Sequence, residues 1–388
     1  MAFRLLLVSS HGTDEAVGGT EGYVAKLAEE FASRRAEVRL LRAFPGPSTL
    51  PPDHTRTLHS TDWRTSQVRR VRNHLDDLVS TPTRALAEAI EWAEPDLIHT
   101  HNLPGITTGI WEAARRAGVP VVHTLHDYHL LCPRVTLLDA NGNPCSPHPL
   151  LCGLRTRSVG RWGTAVSHVL GVSQYLLDRH ARLFPHARLH VLRHPTKSPR
   201  TEPLPPPRTK LETVGYIGAL ATSKGIDKLL TAVPALSELG ISVRIAGEGR
   251  LQAEVEAAAH SLPNLQYDGY VDAGVKESFL RDCDAGIIPS VWPEPGGPPW
   301  AMLDWHWGGR PVLVSPRGGL AEALVDFPGA LPVEPTPEGI VAALARLRDP
   351  DVWRGAVEAV GPVRNATDFA HWFDEQEQVY LEALGRER

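Results

Sequence analysis

The sequence contains no apolar run long enough for a membrane span. Its start, "MAFRLLLVSS", turns polar after a few apolar residues, where a spanning helix needs about 20. That start also lacks the small-residue cleavage site of a secretory signal, so a buried first strand is expected. Strong charge of either sign is missing too: the net charge is -5 and the pI near 6.4, which disfavours a generic nucleic-acid binder. Cysteine is scarce. Cys132, Cys145, Cys152 and Cys283 do not make a disulfide framework at 388 residues. These absences point to a cytoplasmic protein with no integral membrane segment and no nucleic-acid partner. The dinucleotide fingerprint G-x-G-x-x-G is absent from both halves, which disfavours an NAD-dependent dehydrogenase. There is no C-x-x-C pair either. Cys132, Cys145 and Cys152 with His148 could supply four zinc ligands, but the spacing favours buried or free thiols, and no metal is assigned.

What is present reads as two α/β domains. The length exceeds the usual single-domain limit, and 42% hydrophobic with 22% charged residues is ordinary for a globular chain. In the first half the strand candidates are "FRLLLVSS", "EVRLLRA", "DLIHTH", "VPVVHTLHD", "HVLGVS" and "HVLRH". Helical stretches lie between them, such as "EGYVAKLAEEFASR", with Tyr23, Val24, Leu27, Ala28 and Phe31 at helical spacing. Proline, at 34 residues, clusters in "HPTKSPRTEPLPPPRTK", a semi-extended linker by composition. Beyond it the alternation restarts with "TVGYIGA", "SVRIAGEG", "LQYDGYV", "AGIIPS" and "RPVLVS". This predicts two Rossmann-like domains, 1–195 and 212–365, whose parallel sheets face a central cleft, with a linker at 196–211. Residues 366–388 are expected to form a helix that packs back on the first domain, carrying Phe369, Trp372, Phe373, Val379 and Leu381.

Five stretches carry chemistry. Gly18 and Gly19 precede a helix with Glu21 in its first turn, where backbone N–H groups can approach a phosphate; an ordinary Gly-rich turn is an equal alternative. "VVHTLHDYHLLCPR" sets His123, His126, Asp127 and His129 at a strand end, and the favoured reading is that His126 and Asp127 bond a sugar. Lys224 stands before Gly225 at a helix start, a place suited to a diphosphate. Gly247 and Gly249 end a strand and allow a side-chain-free approach to a ligand. In "WPEPGGPPWAMLDW", Pro298 or Pro299 suits the first helical position, which puts Trp300, Asp304 and Trp307 on one face. Glu294 and Asp304 can each accept two hydrogen bonds from vicinal hydroxyls.

With these stretches in this order, the chain resembles the retaining glycosyltransferases of family 4, which have the GT-B fold. The resemblance spans nearly the whole chain and rests on "GGTEGYVAKLA", "HTHNLPG", "PVVHTLHDYHLLCPR", "LGVSQYL", "GYIGALATSKGIDKLL", "IAGEG" and "PSVWPEPGGPPWAMLDWHWGGRPVLVSPRGGLAEAL". The His-Asp-Tyr-His-Leu-Leu-Cys-Pro stretch is especially similar to actinobacterial-type members. The resemblance implies a hexose-type unit moved from a nucleotide-diphosphate sugar to a small-molecule or glycan acceptor, without a cofactor, by a monomer or homodimer. His126, Lys224 and Glu294 would be catalytic: His126 against the donor sugar, Lys224 on the leaving diphosphate, Glu294 on sugar hydroxyls. Gly18, Gly19, Asp127, Ala219, Gly247, Gly296, Gly297 and Trp300 would line the donor. Tyr270 and Val271, after Gly269, would border the nucleobase, and Asp304 would hold the ribose.

Three departures stand against the family pattern. Gly296 replaces a usual Phe, and Asp304 rather than a Glu occupies the second acid position, after two extra loop residues. Ala219 stands where relatives carry an Arg, with Arg193 the candidate substitute. No Asp-x-Asp pair suited to a divalent ion is apparent, and no protein base is; the resemblance implies that the donor phosphate takes the acceptor proton. The alternatives are an epimerase-like GT-B enzyme or an inactive nucleotide-sugar-binding protein. The Arg residues of "DWRTSQVRRVRNHLDDL" are read as a solvated helix face.

Overall fold

The computed structural model describes residues 3–11, 19–34, 36–60, 75–76, 78–139, 145, 149–194, 209–363 and 369–386. The chain forms two compact units. The first holds the strands up to Val191 together with the residues from Phe373 on, and the second runs from Arg193 to Trp372.

The first unit is built on seven strands: β1 Arg4–Ser9, β2 Glu37–Arg42, β3 Thr55–Thr57, β4 Leu97–Thr100, β5 Val121–Leu125, β6 His168–Gly171 and β7 Arg188–Val191. They lie in the order β3-β2-β1-β4-β5-β6-β7, and every pairing is parallel. Central strands covered on both faces read as unbroken apolar runs, and Leu5, Leu6, Leu7 and Val8 of β1 are all buried. Helix Gly19–Ser33 buries Tyr23, Val24, Leu27, Ala28 and Phe31, the set its 3.6-residue period predicts. Side-chain caps fix other helix starts, with Thr83 accepting from Leu86 N and Ser173 from Leu176 N. Helix Phe369–Ala383 closes the unit: Phe373 and Tyr380 lie 4.3 and 4.8 Å from the Phe31 ring, and Tyr23 Oη donates to Gln376 Oε1 at 3.1 Å. Tyr380, rather than Leu381, fills the fully buried position there.

The second unit repeats the plan with six strands: β8 Thr213–Ile217, β9 Ser242–Ala246, β10 Leu265–Tyr267, β11 Ala285–Ile288, β12 Val312–Val314 and β13 Ala330–Pro332, in the parallel order β10-β9-β8-β11-β12-β13. Both sheets reverse strand order at their centre, β1 beside β4 and β8 beside β11. Such a switch point opens a crevice at the carboxyl ends of the central strands. Strands β3 and β13 answer to none of the predicted strand runs. Each is a three-residue outer strand, one of them polar and the other ending in Pro332, so neither leaves a periodic signal. The linker expected at 196–211 lies almost wholly outside the described residues, which resume at 209.

Candidate functional site

The second unit carries an ion pair at its switch point. Lys224 sits in the loop after β8 and Glu294 in the loop after β11. The Lys224 ammonium reaches both carboxylate oxygens of Glu294, at 2.7 and 2.9 Å. Two backbone bonds bring the loops together, Val291 N and Trp292 N both donating to the Ser223 carbonyl. Gly225, at φ +75, lets its own loop pass beneath β11, because a Cβ there would lie 1.9 Å from the Pro289 oxygen. Ser290 Oγ donates to Glu294 Oε1, and the Lys224 ammonium lies 4.9 Å from the Trp292 ring centroid. Glu294 is 4% exposed, yet its charge is compensated by an ammonium and a hydroxyl. Its field adds to burial in pushing the Tyr216 phenol above its ordinary range; burial is the larger cause.

The second acid has a separate partner. Asp304 is buried in helix Trp300–Trp307 and its Oδ2 accepts from Lys276 Nζ at 2.8 Å. This helix starts one residue later than the prolines suggest: Pro299 is the N-cap, and its carbonyl accepts from Met302 N and Leu303 N. Trp305 anchors the helix on the sheet. Added Cβ atoms at Gly215 of β8 or Gly286 of β11 would lie 2.4 or 2.5 Å from its ring, so the two glycines form the groove that it fills. Trp300 stacks on His194 at 4.8 Å, and burial pushes that imidazole down to about 4.

Several of the residues expected to line the donor also pack against the protein itself. The space beside Gly247 holds the Gly218 carbonyl, 1.9 Å from where a Cβ would be, and Gly249 meets the Leu220 carbonyl at 2.4 Å. These glycines let two loops pack backbone to backbone. Gly297 meets the Gly319 carbonyl at 1.9 Å in the same sense, and Gly319 N donates to the Glu294 carbonyl at 2.7 Å. Gly296 is buried against Gly319. Ala219 is exposed, with its carbonyl accepting from Tyr216 Oη at 2.8 Å. Arg193, the candidate substitute cation, bonds within its own unit: its guanidinium holds Glu322, Asp326 and the Gly297 carbonyl. Tyr270 is exposed, and Val271 is tucked into the core beside Phe279 and Leu280. Two Asp-x-Asp spacings do occur, but they are engaged: Asp284 accepts from Glu212 N and Thr213 N, Asp282 from Arg244, Asp349 from Asp351 N, and Asp351 from Arg354.

In the first unit buried polar residues gather on β4 and β5 and just beyond their carboxyl ends. His101 Nδ1 and His126 Nε2 are 3.0 Å apart, and Tyr23 packs edge-on to the His126 ring at 4.9 Å. His99 bonds Thr124 Oγ1 at 2.7 Å and the Tyr380 hydroxyl; His123 bonds Thr100 Oγ1 at 2.9 Å. Burial holds His99 and His101 far below the ordinary imidazole range and His123 at about 3. Asp127 caps its own turn, accepting from His129 N at 2.7 Å, and burial pushes its carboxyl up. A small cavity is lined by His101, Asn102, His126, Asp127 and their neighbours. Gly19 opens its helix, while Gly18 and His148 lie outside the described residues. His101, Tyr23, Ser290, Trp292 and Lys276 are partners to which residue patterns gave no role at the site; all but Lys276 stood in quoted motifs. Among the described residues no helix is long and apolar enough to cross a membrane.

Two parallel Rossmann-like units with polar clusters at their switch points define a GT-B architecture. Comparison with known proteins agrees. Residues 17–196 match the family model Glycosyltransferase Family 4, and residues 212–349 match Glycosyl transferases group 1. A sucrose-phosphate synthase structure from Thermosynechococcus elongatus superposes with a TM-score of 0.69 at 16% identity, covering 98% of this chain and 99% of that one. The Anabaena protein HepE, in complex with UDP, gives 0.70 at 15% identity, covering 98% and 100%. An uncharacterized 42.6 kDa protein from the cps region of Klebsiella pneumoniae is 25% identical over 82% of this chain and 87% of its own length. Glycogen synthase of Mycobacterium tuberculosis is 30% identical over 47% of this chain and 45% of its own length. The chain belongs to the GT-B glycosyltransferases of these two family groups, family 4 in its first half and group 1 in its second.

Proposed function

We propose that the chain is a retaining hexosyltransferase of actinobacterial type. It would move a sugar from a nucleotide diphosphate to a small-molecule or glycan acceptor, in a natural-product or cell-envelope pathway. The observation that carries this reading is the Lys224–Glu294 pair on the switch-point loops of the second unit. As the glycosidic bond breaks, charge builds on the leaving diphosphate, and an ammonium held in place stabilises it without reorganisation. The same ammonium orients Glu294, whose oxygens are suited to sugar hydroxyls. Asp304 and Lys276 serve the ribose side, and His126, set by His101 and Tyr23, the sugar. UDP-, GDP-, ADP- and TDP-linked donors all remain within this reading; UDP in the HepE complex and the glycogen synthase similarity support a nucleotide-sugar donor as such.

A thermal-shift panel of UDP, GDP, ADP and TDP sugars tests it, because a ligand that binds only the native state raises the melting temperature. One nucleotide class should give a shift that Lys224→Ala abolishes; silence from all four sinks the transferase reading. A second reading, nucleotide-sugar binding without turnover, draws on Ala219 and on the engagement of Arg193. It predicts the same shift but no glycosylated product with any acceptor tried.

A further inference from the structure

We propose that His168, His190 and Glu382 form a zinc site that fastens the C-terminal helix to the end of the seven-stranded sheet. One donor atom from each residue lies within 4.8 Å of the others, the one such group of three among the described residues. The geometry is set by register. His168 pairs with Arg188, and Leu170 with His190, so the two histidines are diagonal neighbours on one face of β6 and β7. Their rings stack at 5.4 Å with planes 21° apart. Glu382, on the last turn of helix Phe369–Ala383, brings Oε2 to 3.8 Å from His168 Nε2.

The hydrogen-bond pattern leaves one nitrogen of each imidazole open to a metal. His168 is 5% exposed, its Nδ1 is bonded to Ser167 Oγ at 3.1 Å, and its Nε2 is buried without a hydrogen-bond partner. A ligating imidazole commonly has its second nitrogen held in this way, which fixes the tautomer and the ring. His190 Nε2 is also buried and without a hydrogen bond. Two such nitrogens beside a carboxylate leave polar groups unpaid for unless something bridges them. Two imidazoles and a carboxylate suit zinc in both ligand type and number, with a fourth position left for water. Bond lengths near 2.0–2.2 Å require the three donors to close in by about an ångström, within reach of side-chain rotation. Arg188 shares Glu382 Oε2 at 3.3 Å but is mostly exposed, so it can turn outward as the metal enters. The gain is a clip between the last helix and β6 and β7, segments from distant parts of the sequence.

The test uses full-length protein dialysed against a chelator, then titrated with zinc by calorimetry and by thermal melting. The expected result is a single zinc ion per chain with a raised melting temperature. Both should be lost in His190→Gln and in Glu382→Gln and kept in Cys145→Ser. Equal circular dichroism of the metal-free variants and parent ensures that lost binding is not lost folding. If one of the two variants fails to fold, the other decides. Cobalt in place of zinc should give d–d bands without a sulfur charge-transfer band. Unchanged zinc binding in His190→Gln and Glu382→Gln, loss in Cys145→Ser, or a sulfur band overturns the proposal. None of these outcomes depends on a nucleotide.

Discussion

At the scale of single residues, the acid loop shows how a partner changes a prediction. Glu294 and Asp304 stood out in the sequence because each carboxylate can accept two hydrogen bonds from vicinal hydroxyls. What each carboxylate faces came only from the fold: Lys224 with Ser290 for one, Lys276 for the other. A lysine 70 positions away leaves no local signal, so the pairing was illegible while the residues were not. The pairing has an energetic consequence. Lys224→Met removes the ammonium from a carboxylate that is 4% exposed, which should cost about 1–3 kcal/mol for an unsatisfied buried group. Lys224→Met combined with Glu294→Gln should recover most of that stability while donor binding stays lost. Urea unfolding of the four proteins measures the coupling; strictly additive losses would mean that the pair does not hold the loops together.

Among the elements, helix Trp300–Trp307 and its seat on the sheet make the clearest case. The prolines before it announced a helix start to within one residue. Which tryptophan lies in the core did not follow, since all three recur within one short helix. The sheet decided it, because only Trp305 faces the groove that Gly215 and Gly286 leave open. Gly286→Ala should therefore destabilise the second unit by about 1–3 kcal/mol through overpacking. In a Trp305→Phe background the same substitution should cost clearly less, because the smaller ring vacates the space. Equal costs in both backgrounds, read from chemical denaturation, would show that the groove does not set the helix position. Gly247 and Gly249 teach the converse. Their pattern was visible, but glycine in a strand-end loop signals a close approach without saying of what, and here the neighbour is the protein's own backbone.

Across the whole molecule, the buried histidines set an acid limit. Burial holds His123 at about 3 and His180 at about 4 in the first unit, and His306 at about 4 in the second. Each is lower than in the unfolded chain, near 6.5, so the unfolded state binds more protons below that pH. Stability from this source is complete above pH 6.5 and is lost as pH falls toward 4, by about 1.4 kcal/mol per pH unit for each histidine. Unfolding free energies taken at pH 7, 6 and 5 should fall progressively. A flat profile would mean that these imidazoles take up no proton on unfolding.

The division between sequence and structure follows from the range of the forces. Two α/β halves, most strands and the amphipathic helices were readable from periodicity and punctuation, and the order of motifs marked Lys224, Glu294 and His126 as candidates, because those signals act over a few residues. The short outer strands, the buried Tyr380, the glycines used for loop packing and the His168–His190–Glu382 group were not. Each depends on which residues distant in sequence become neighbours, and only sheet register and helix packing determine that.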